Sequence, residues 1–323
     1  MNMDMEIPTL KDVLLARQTI DKYLPRTPLI EYPALSSFAG VRVLVKHENH
    51  QPVGVFKLRG GINLISRMPD AERASGVITA STGNHGQSVA FAARMFGVKA
   101  QILVPEGANP LKVDSMRALG AEVSFYGKDF DDAREKAEAI AAEASMRYIH
   151  SGNEPLLIAG VGTIALEIIE AAPEIDAIIV PVGGGSGAAG ACITAKSINP
   201  AIKIIGVQSE KAPAAFKSWN ARRVLEDKME TSAEGLATRV GFELPQRILW
   251  QHLDDFVLLS DEEIQHAIAL YVVKAHTLAE AAGAASLAAL IKYRERFRGL
   301  TVALVLSGAN ITITQLRAAL PPA

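Results

Sequence analysis

The chain has 323 residues, a length that suggests about two domains. It carries 33 Lys and Arg against 35 Asp and Glu, a net charge of −2, which argues against nucleic-acid binding because that function needs a basic excess. Hydrophobic residues make up 49% of the chain, enough for a sizeable core. Cys192 is its one cysteine, which excludes an internal disulfide and a multi-cysteine metal site and makes us expect a cytoplasmic protein.

Neither a signal peptide nor a membrane span is expected. The first ten residues carry acids and lack an apolar core. The longest uncharged run, residues 177–195, contains Pro181 and three consecutive glycines, which would break a membrane helix.

Apolar runs alternate with segments of helical periodicity along most of the chain. The expected strands are residues 41–46, 77–80, 101–104, 122–125, 177–180, 203–207, 256–259 and 301–306. The expected helices are residues 86–96, 110–119, 130–145, 156–170, 187–197, 261–275 and 284–296. This order predicts an α/β protein with parallel strands covered by helices, in two sheets because one sheet would be large.

The same pattern predicts how the chain divides. We expect a small domain over residues 75–155 and a large domain formed by residues 1–74 and 156–323. Residues 217–243 are rich in charge and weak in periodicity, so we expect a loop-rich segment near the functional site.

The strongest local motif is the run Gly183, Gly184, Gly185, Ser186 and Gly187, here called the glycine cup. It lies between an expected strand and an expected helix. Backbone N–H groups of consecutive glycines can converge on an anion, and a following helix N-terminus favours negative charge. The run therefore indicates a phosphate site, although a turn for close helix–strand packing remains the alternative.

The segment 81–87 (STGNHGQ) also lies between a strand and a helix. Ser81 or Thr82 can cap the helix, while Asn84 and His85 can supply donors to a carboxylate. By itself the segment could equally be a well-capped helix start.

Three further residues could carry chemistry. Lys57 lies in a mostly apolar segment, where desolvation would make its amine nucleophilic, although it could be a surface lysine at a helix start. Ser307 follows the last strong strand and would point into a crevice at the sheet edge. Glu280 stands alone among small residues and is either a buried functional acid or a helix-start acid.

In this order the motifs resemble the fold-type II pyridoxal-phosphate enzymes, closest to the serine/threonine dehydratases and the serine racemases. The resemblance runs from residue 26 (RTPL) to residue 310 (SGAN) and is most specific at 56–60 (FKLRG), 81–87, 158–163 (IAGVGT) and the glycine cup. It implies a two-domain fold similar to the tryptophan synthase β chain, each domain a largely parallel twisted sheet flanked by helices. It also favours a homodimer.

The resemblance implies a role for each motif. Lys57 would form the Schiff base with pyridoxal phosphate, and the glycine cup would bind the cofactor phosphate. Phe56, Asn84, Glu280 and Ser307 would surround the cofactor ring. The substrate carboxylate would be bound by Ser81, Thr82, Asn84 and His85.

The implied reaction is the loss of water from a β-hydroxy amino acid of the L-threonine or L-serine type, giving a 2-oxo acid and ammonia. The free Lys57 amine would take the Cα proton. Ser307 is uncharged, so it would not stabilise a long-lived carbanion and elimination would compete well. Because the sequence ends soon after these motifs, we expect no C-terminal regulatory domain.

Departures from the dehydratase pattern keep alternatives open. Thr82 replaces the serine found in the racemases, so racemisation is weighed lower. Residues 233–239 differ from the usual Ala-Asp-Gly, which favours a bulkier substrate such as a 3-phenylserine, hydroxyaspartate or an ectoine-derived compound.

Gln208 and Ala214 stand where relatives have acids, so we expect no metal there, although Glu210 in the same stretch is an acid. A non-catalytic nucleotide or phosphate sensor is the alternative from another class.

Overall fold

The computed structural model describes residues 5–320. Residues 1–4 and 321–323 lie outside it, and with them part of the segment expected not to be a signal peptide and both ends of the expected large domain.

Within residues 5–320, ten strands form two separate sheets. In chain order they are β1 (Leu29–Glu31), β2 (Arg42–His47), β3 (Val77–Ala80), β4 (Ala100–Val104), β5 (Glu122–Phe125), β6 (Arg147–Tyr148), β7 (Ala177–Pro181), β8 (Lys203–Ser209), β9 (Asp255–Leu259) and β10 (Thr301–Leu306). The larger sheet has the order β1-β2-β10-β7-β8-β9, and the smaller has the order β5-β4-β3-β6. All pairings are parallel except β1 with β2.

Helices cover both sheets. They are α1 (Leu10–Ile20), α2 (Pro33–Ala39), α3 (Leu58–Ile65), α4 (Asp70–Ser75), α5 (Asn84–Met95), α6 (Pro110–Ala118), α7 (Phe130–Ala144), α8 (Pro155–Ala171), α9 (Ser186–Ile198), α10 (Ala214–Ala221), α11 (Glu243–His252), α12 (Asp261–Ala275), α13 (Ala281–Lys292) and α14 (Ile313–Ala319). Short 3₁₀ turns occupy Glu48–His50, Glu234–Leu236 and Arg294–Phe297.

The larger sheet is covered on both faces by apolar residues. In β10 the side chains of Val302, Leu304 and Leu306 belong to one cluster of buried residues, while Ala303 and Val305 belong to another. Alternate residues of a strand point to opposite faces, so a strand buried on both faces has to be apolar throughout. This explains why the central strands were the easiest elements to predict.

The helix α3 connects the two parts of the molecule. A Cβ on Gly60 would lie 2.2 Å from Leu157 of α8, and one on Gly61 would lie 2.4 Å from Ser88 of α5. Only glycine allows these two approaches, so Gly60 of the FKLRG motif and the following Gly61 fix the backbone after Lys57 against both helices.

The predicted α/β fold with two largely parallel sheets is confirmed, and the differences are local. The strand β1, the two-residue β6 and the helices α1, α2, α4, α11 and α14 had no predicted counterpart. The expected helix 284–296 begins earlier, at Ala281, and its last part is a 3₁₀ turn. The expected loop 217–243 is helical up to Ala221, at the end of α10. The division into domains at residues 75 and 155 stays a prediction.

Candidate active site

One cavity of about 860 Å³, including the space open to solvent, lies between the two sheets. Its lining residues follow directly after β3, β7 and β10, where the carboxyl ends of parallel strands form a crevice. The structure brings every predicted site residue into this cavity: Phe56, Lys57, Ser81, Thr82, Asn84, His85, Gly183, Gly184, Gly185, Ser186, Gly187, Glu280 and Ser307.

The backbone around Lys57 is fixed on two sides. The N–H of Phe56 donates to the carbonyl of Ser307 at 3.0 Å, and the Ser88 hydroxyl donates to the carbonyl of Lys57 at 2.6 Å. The Lys57 side chain is half-buried, and burial lowers the pKa of its ammonium from 10.5 to about 8. A sizeable fraction of this amine is therefore neutral and nucleophilic just above neutral pH.

The Phe56 ring lies near both the glycine cup and the Lys57 amine. A Cβ on Gly187 would lie 3.3 Å from the Phe56 ring, and the ring also lines a small apolar cavity with Val180 and Val305. The Lys57 Nζ atom lies 5.3 Å from the centre of the same ring.

The glycine cup presents unpaired donors to the cavity. Within residues 5–320, no protein acceptor meets the backbone N–H groups of Gly183 to Gly187. Side chains could not be accommodated here, because a Cβ on Gly183 would lie 2.3 Å from the carbonyl oxygen of Gly235 and Gly185 has a φ of +91°. Unpaired N–H groups at the start of α9 form an anion site.

The segment before α5 forms a second group of donors. The N-cap residue of α5 is Gly83, not Ser81 or Thr82 as predicted, but the Ser81 hydroxyl oxygen still accepts hydrogen bonds from the N–H groups of Gly83 at 2.9 Å and Gly86 at 2.8 Å. The N–H groups of Asn84 and His85 have no acceptor in the described part of the protein. They are free to bind a carboxylate.

The His85 side chain is neutral. Burial, together with the nearby charge of Lys57, lowers its pKa to about 3. Its Nε2 atom lies 3.3 Å from the carbonyl oxygen of Ile149. His85 therefore offers its backbone N–H, and not a positive charge, to a bound anion.

A polar link across the cavity was not predicted. Asn84 Nδ2 donates to Glu280 Oε1 at 2.6 Å, and Asn84 Oδ1 accepts from Asn310 Nδ2 at 2.9 Å. Lys112 Nζ lies 2.7 Å from Glu234 Oε2 and 3.4 Å from Glu280 Oε2. Asn84 and Lys112 follow strands of the smaller sheet, so these contacts connect it to the rest of the molecule.

Sequence reasoning missed several lining residues, above all Lys112, Phe130 and Phe242. Phe130 follows β5 and a glycine, and Lys112 follows β4, so their positions after parallel strands were a usable signal. No local motif marks Phe242. The predicted proximity of residues 217–243 to the site is borne out by Glu234, Gly235, Ala237, Thr238 and Phe242, which line it.

No helix within 5–320 has the length and apolar character of a transmembrane segment. The same residues include no group of three His, Cys, Asp or Glu side chains arranged to hold a metal ion. The side-chain oxygen of Gln208, the residue that stands where relatives have an acid, accepts a hydrogen bond from the N–H of Phe216 at 3.0 Å. The expectation of no metal near Glu210 stays a prediction.

Comparison with known proteins decides the family. A family model described as pyridoxal-phosphate dependent enzyme matches residues 20–308. The chain belongs to this family. It is 38% identical over 311 residues to the L-threonine ammonia-lyase of Thermotoga maritima, which covers 95% of this chain and 77% of that protein.

Solved structures of the family agree. The threonine deaminase isoform 2 of Solanum lycopersicum superposes with a TM-score of 0.90 at 32% identity, over 99% of this chain and 97% of that one. The serine racemase of Dictyostelium discoideum gives 0.88 at 32% identity, over 95% and 99%. The predicted family, fold, cofactor and enzyme class are thereby confirmed, and the chain is a pyridoxal-phosphate-dependent lyase.

The cavity fits this cofactor. A dianionic phosphate needs several donors, and the glycine cup supplies unpaired N–H groups that no protein acceptor satisfies. The cofactor aldehyde needs an amine that loses its proton readily, and the pKa of Lys57 is lowered to about 8. Both groups line one cavity.

Proposed function

We propose that the protein removes water from a β-hydroxy amino acid of the L-threonine or L-serine type and releases a 2-oxo acid and ammonia. The observation that carries the proposal is the position of Lys57, whose depressed-pKa amine lines the same cavity as the glycine cup and the start of α5. The names of the relatives support threonine as the substrate.

The cofactor would be held by residues from five separate parts of the chain. Lys57 would bond to it, and Gly183, Gly184, Gly185, Ser186 and Gly187 would hold its phosphate. Phe56, Asn84, Glu280 and Ser307 would surround its ring. When bound, pyridoxal phosphate supplies an electron sink that weakens the bonds to the substrate Cα.

Lys57 would act as the base. Its Nζ atom, once displaced by the substrate amine, would take the proton from Cα. A base whose pKa is about 8 both removes and returns a proton near neutral pH, because its two protonation states are close in free energy.

The substrate carboxylate would be held at the start of α5. The unpaired N–H groups of Asn84 and His85 would donate to it, and Ser81 and Thr82 would complete the site. Ser307 would favour elimination, because an uncharged hydroxyl does not stabilise negative charge at Cα and departure of the β-hydroxyl relieves it.

The test is release of keto acid by the purified protein. We expect turnover of L-threonine or L-serine by the wild type and a loss of at least about 10³-fold in Lys57→Ala, since the base is removed. Circular dichroism of the variant controls for folding. Full activity of Lys57→Ala, or no absorbance from bound cofactor in the wild type, would overturn the proposal.

Racemisation is the second candidate, and two observations favour it. The Thr82 hydroxyl lines the cavity with Lys57, as a second acid or base would, and the superposed D. discoideum structure is a serine racemase. Chiral analysis of the products from L-serine separates D-serine from keto acid.

We also propose a domain division, an oligomeric state and a cellular location. A small domain over 75–155 is supported by the self-contained smaller sheet, and limited proteolysis near these boundaries tests it. A homodimer is tested by sedimentation of the holoenzyme. A cytoplasmic location fits the single buried Cys192 and is tested by cell fractionation.

A further inference from the structure

One wall of the cavity is assigned neither to the cofactor nor to the substrate carboxylate. The glycine cup accounts for the phosphate and the start of α5 for the carboxylate. The lining residues without a role are Phe130, Glu234, Gly235, Ala237, Thr238 and Phe242, together with Lys112, Ser151, Pro181 and Ala282. The substituent on the substrate Cβ would face this part of the cavity, and the wall considered below is its segment 234–242 with Phe130.

The wall contains two aromatic rings. The Phe242 ring is held tightly, because a Cβ on Gly184 would lie 2.3 Å from it and one on Gly152 would lie 2.5 Å from it. The centre of the Phe130 ring lies 6.5 Å from that of Phe242. Phe130 is half-buried and begins α7, so it is the ring with surface left for a ligand.

The cations near the wall are already neutralised. The charges of Glu280 and Glu234 raise the pKa of Lys112 despite its burial, and the two carboxylates lie 3.4 and 2.7 Å from its Nζ atom. Arg239 pairs with Asp129 and lies 3.8 Å from Asp131. A second carboxylate on the substrate would therefore meet no unpaired cation on the described part of this wall, and burying an unpaired charge is costly.

We propose that Phe130 and the Lys112–Glu234 pair restrict the substrate's β-substituent to an uncharged, apolar group. The inference rests on the proposed function, and it selects among the candidate substrates. A methyl or phenyl group packs on Phe130, whereas the carboxylate of 3-hydroxyaspartate is rejected and the hydrogen of serine leaves the ring unpacked.

The first experiment compares substrates in Phe130→Ala. We expect kcat/KM for L-threonine to fall about 10-fold and that for L-serine to change less than about 3-fold, because one methyl group in an apolar pocket is worth this much. Phe125→Ala is the matched control, since this ring lies 41% exposed outside the cavity. An unchanged threonine-to-serine ratio in Phe130→Ala overturns the role of Phe130.

The second experiment makes the Lys112 ammonium available to a carboxylate on the substrate. Glu234→Gln removes one of the two carboxylates on Lys112, so kcat/KM for 3-hydroxyaspartate relative to L-threonine should rise about 10-fold. A wild type that prefers 3-hydroxyaspartate, or a variant with an unchanged ratio, overturns the role of the Lys112–Glu234 pair.

Binding separates failure of this inference from failure of the proposed function. L-2-aminobutyrate, L-alanine and L-aspartate lack the β-hydroxyl and cannot be dehydrated, so calorimetry with the holoenzyme measures side-chain selection alone. We expect L-2-aminobutyrate to bind more tightly than L-aspartate, and Phe130→Ala to weaken L-2-aminobutyrate about 5-fold without affecting L-alanine. Equal affinities contradict the inference even when elimination is observed.

Discussion

At the scale of single residues, the site depends on the amine of Lys57, whose protonated form is destabilised by burial. Lys57 lies where burial lowers its pKa to about 8, and no described side chain forms an ion pair with it. A protonated lysine at this position lowers the free energy of unfolding of the cofactor-free protein. The reactivity of Lys57 and its cost to stability thus have one cause.

We predict that Lys57→Met stabilises the cofactor-free protein at pH 7. A depression of the pKa by about 2.5 corresponds to at most about 3 kcal/mol, and partial exposure of Lys57 to the cavity reduces the expected gain to about 1–2 kcal/mol. The gain is full below pH 8 and vanishes towards pH 10.5, because the unfolded wild-type chain then loses its proton as well. Urea unfolding at pH 7 and pH 10 measures it, and equal stabilities at pH 7 would contradict it.

At the scale of elements, a buried ionic network joins α1, β2, α3 and α8. Arg59, two residues after Lys57, donates to Glu48 at 2.8 Å and to Glu167 at 2.8 Å. Glu167 also accepts from Lys46 at 2.5 Å and from Arg17 at 2.9 Å. These side chains are almost fully buried, so removing one partner leaves an uncompensated charge. The network fixes the start of α3 and with it Lys57.

We predict that Glu167→Gln destabilises the protein by about 3–5 kcal/mol at pH 7. Burial alone would raise the pKa of Glu167, but hydrogen bonds and charges from Arg59 and Lys46 lower it to about 2. Its contribution is therefore complete above pH 4.5 and is lost as the pH falls towards 2. Chemical unfolding from pH 7 to pH 3 should show the difference from wild type shrinking.

An exposed pair provides the control for this network. Glu174, 52% exposed, pairs with Arg42 at 2.9 Å, and Glu174→Gln should lower stability far less than Glu167→Gln, because solvent screens an exposed pair. A similar loss in both variants would mean that burial of the network is not what matters.

At the scale of the whole molecule, the cavity is closed by contacts between separate parts of the chain. Residues 234–242 form one wall, and Arg239 in this segment pairs with Asp129 at the start of α7. Lys112 on α6 holds Glu234 in the same segment. The smaller sheet's helices therefore hold this wall over the site.

We predict that Arg239→Gln raises KM for the amino acid about 3-fold to 10-fold while kcat changes less than 2-fold, because the wall closes less often over the substrate. The pair is exposed and screened by salt, so thermal stability should stay within about 1 °C and wild-type KM should rise with ionic strength. Arg296→Gln, which removes an exposed pair with Asp255, is the control. A lower kcat with unchanged KM would contradict the prediction.

The elements predicted most accurately were those whose local pattern matches their surroundings. The strands 77–80, 122–125 and 301–306 were predicted to the residue, and for 77–80 the reason is an apolar run bounded by Gly76 and Ser81. The edge strands β1 and β6 have three and two residues, too few for any periodicity. The helix α1 was missed although it begins with the capping box Thr9 to Asp12.

The sequence by itself determined the family and the motifs that end each central strand. Lys57, the glycine cup, the 81–87 segment and Ser307 are local patterns, and parallel strands bring their ends to one edge. The tertiary structure alone decided that Lys112 neutralises Glu234 and Glu280 and that Phe130 and Phe242 share a wall. These partners are more than 100 residues apart, and such pairs depend on how the two sheets are oriented, which no local pattern encodes.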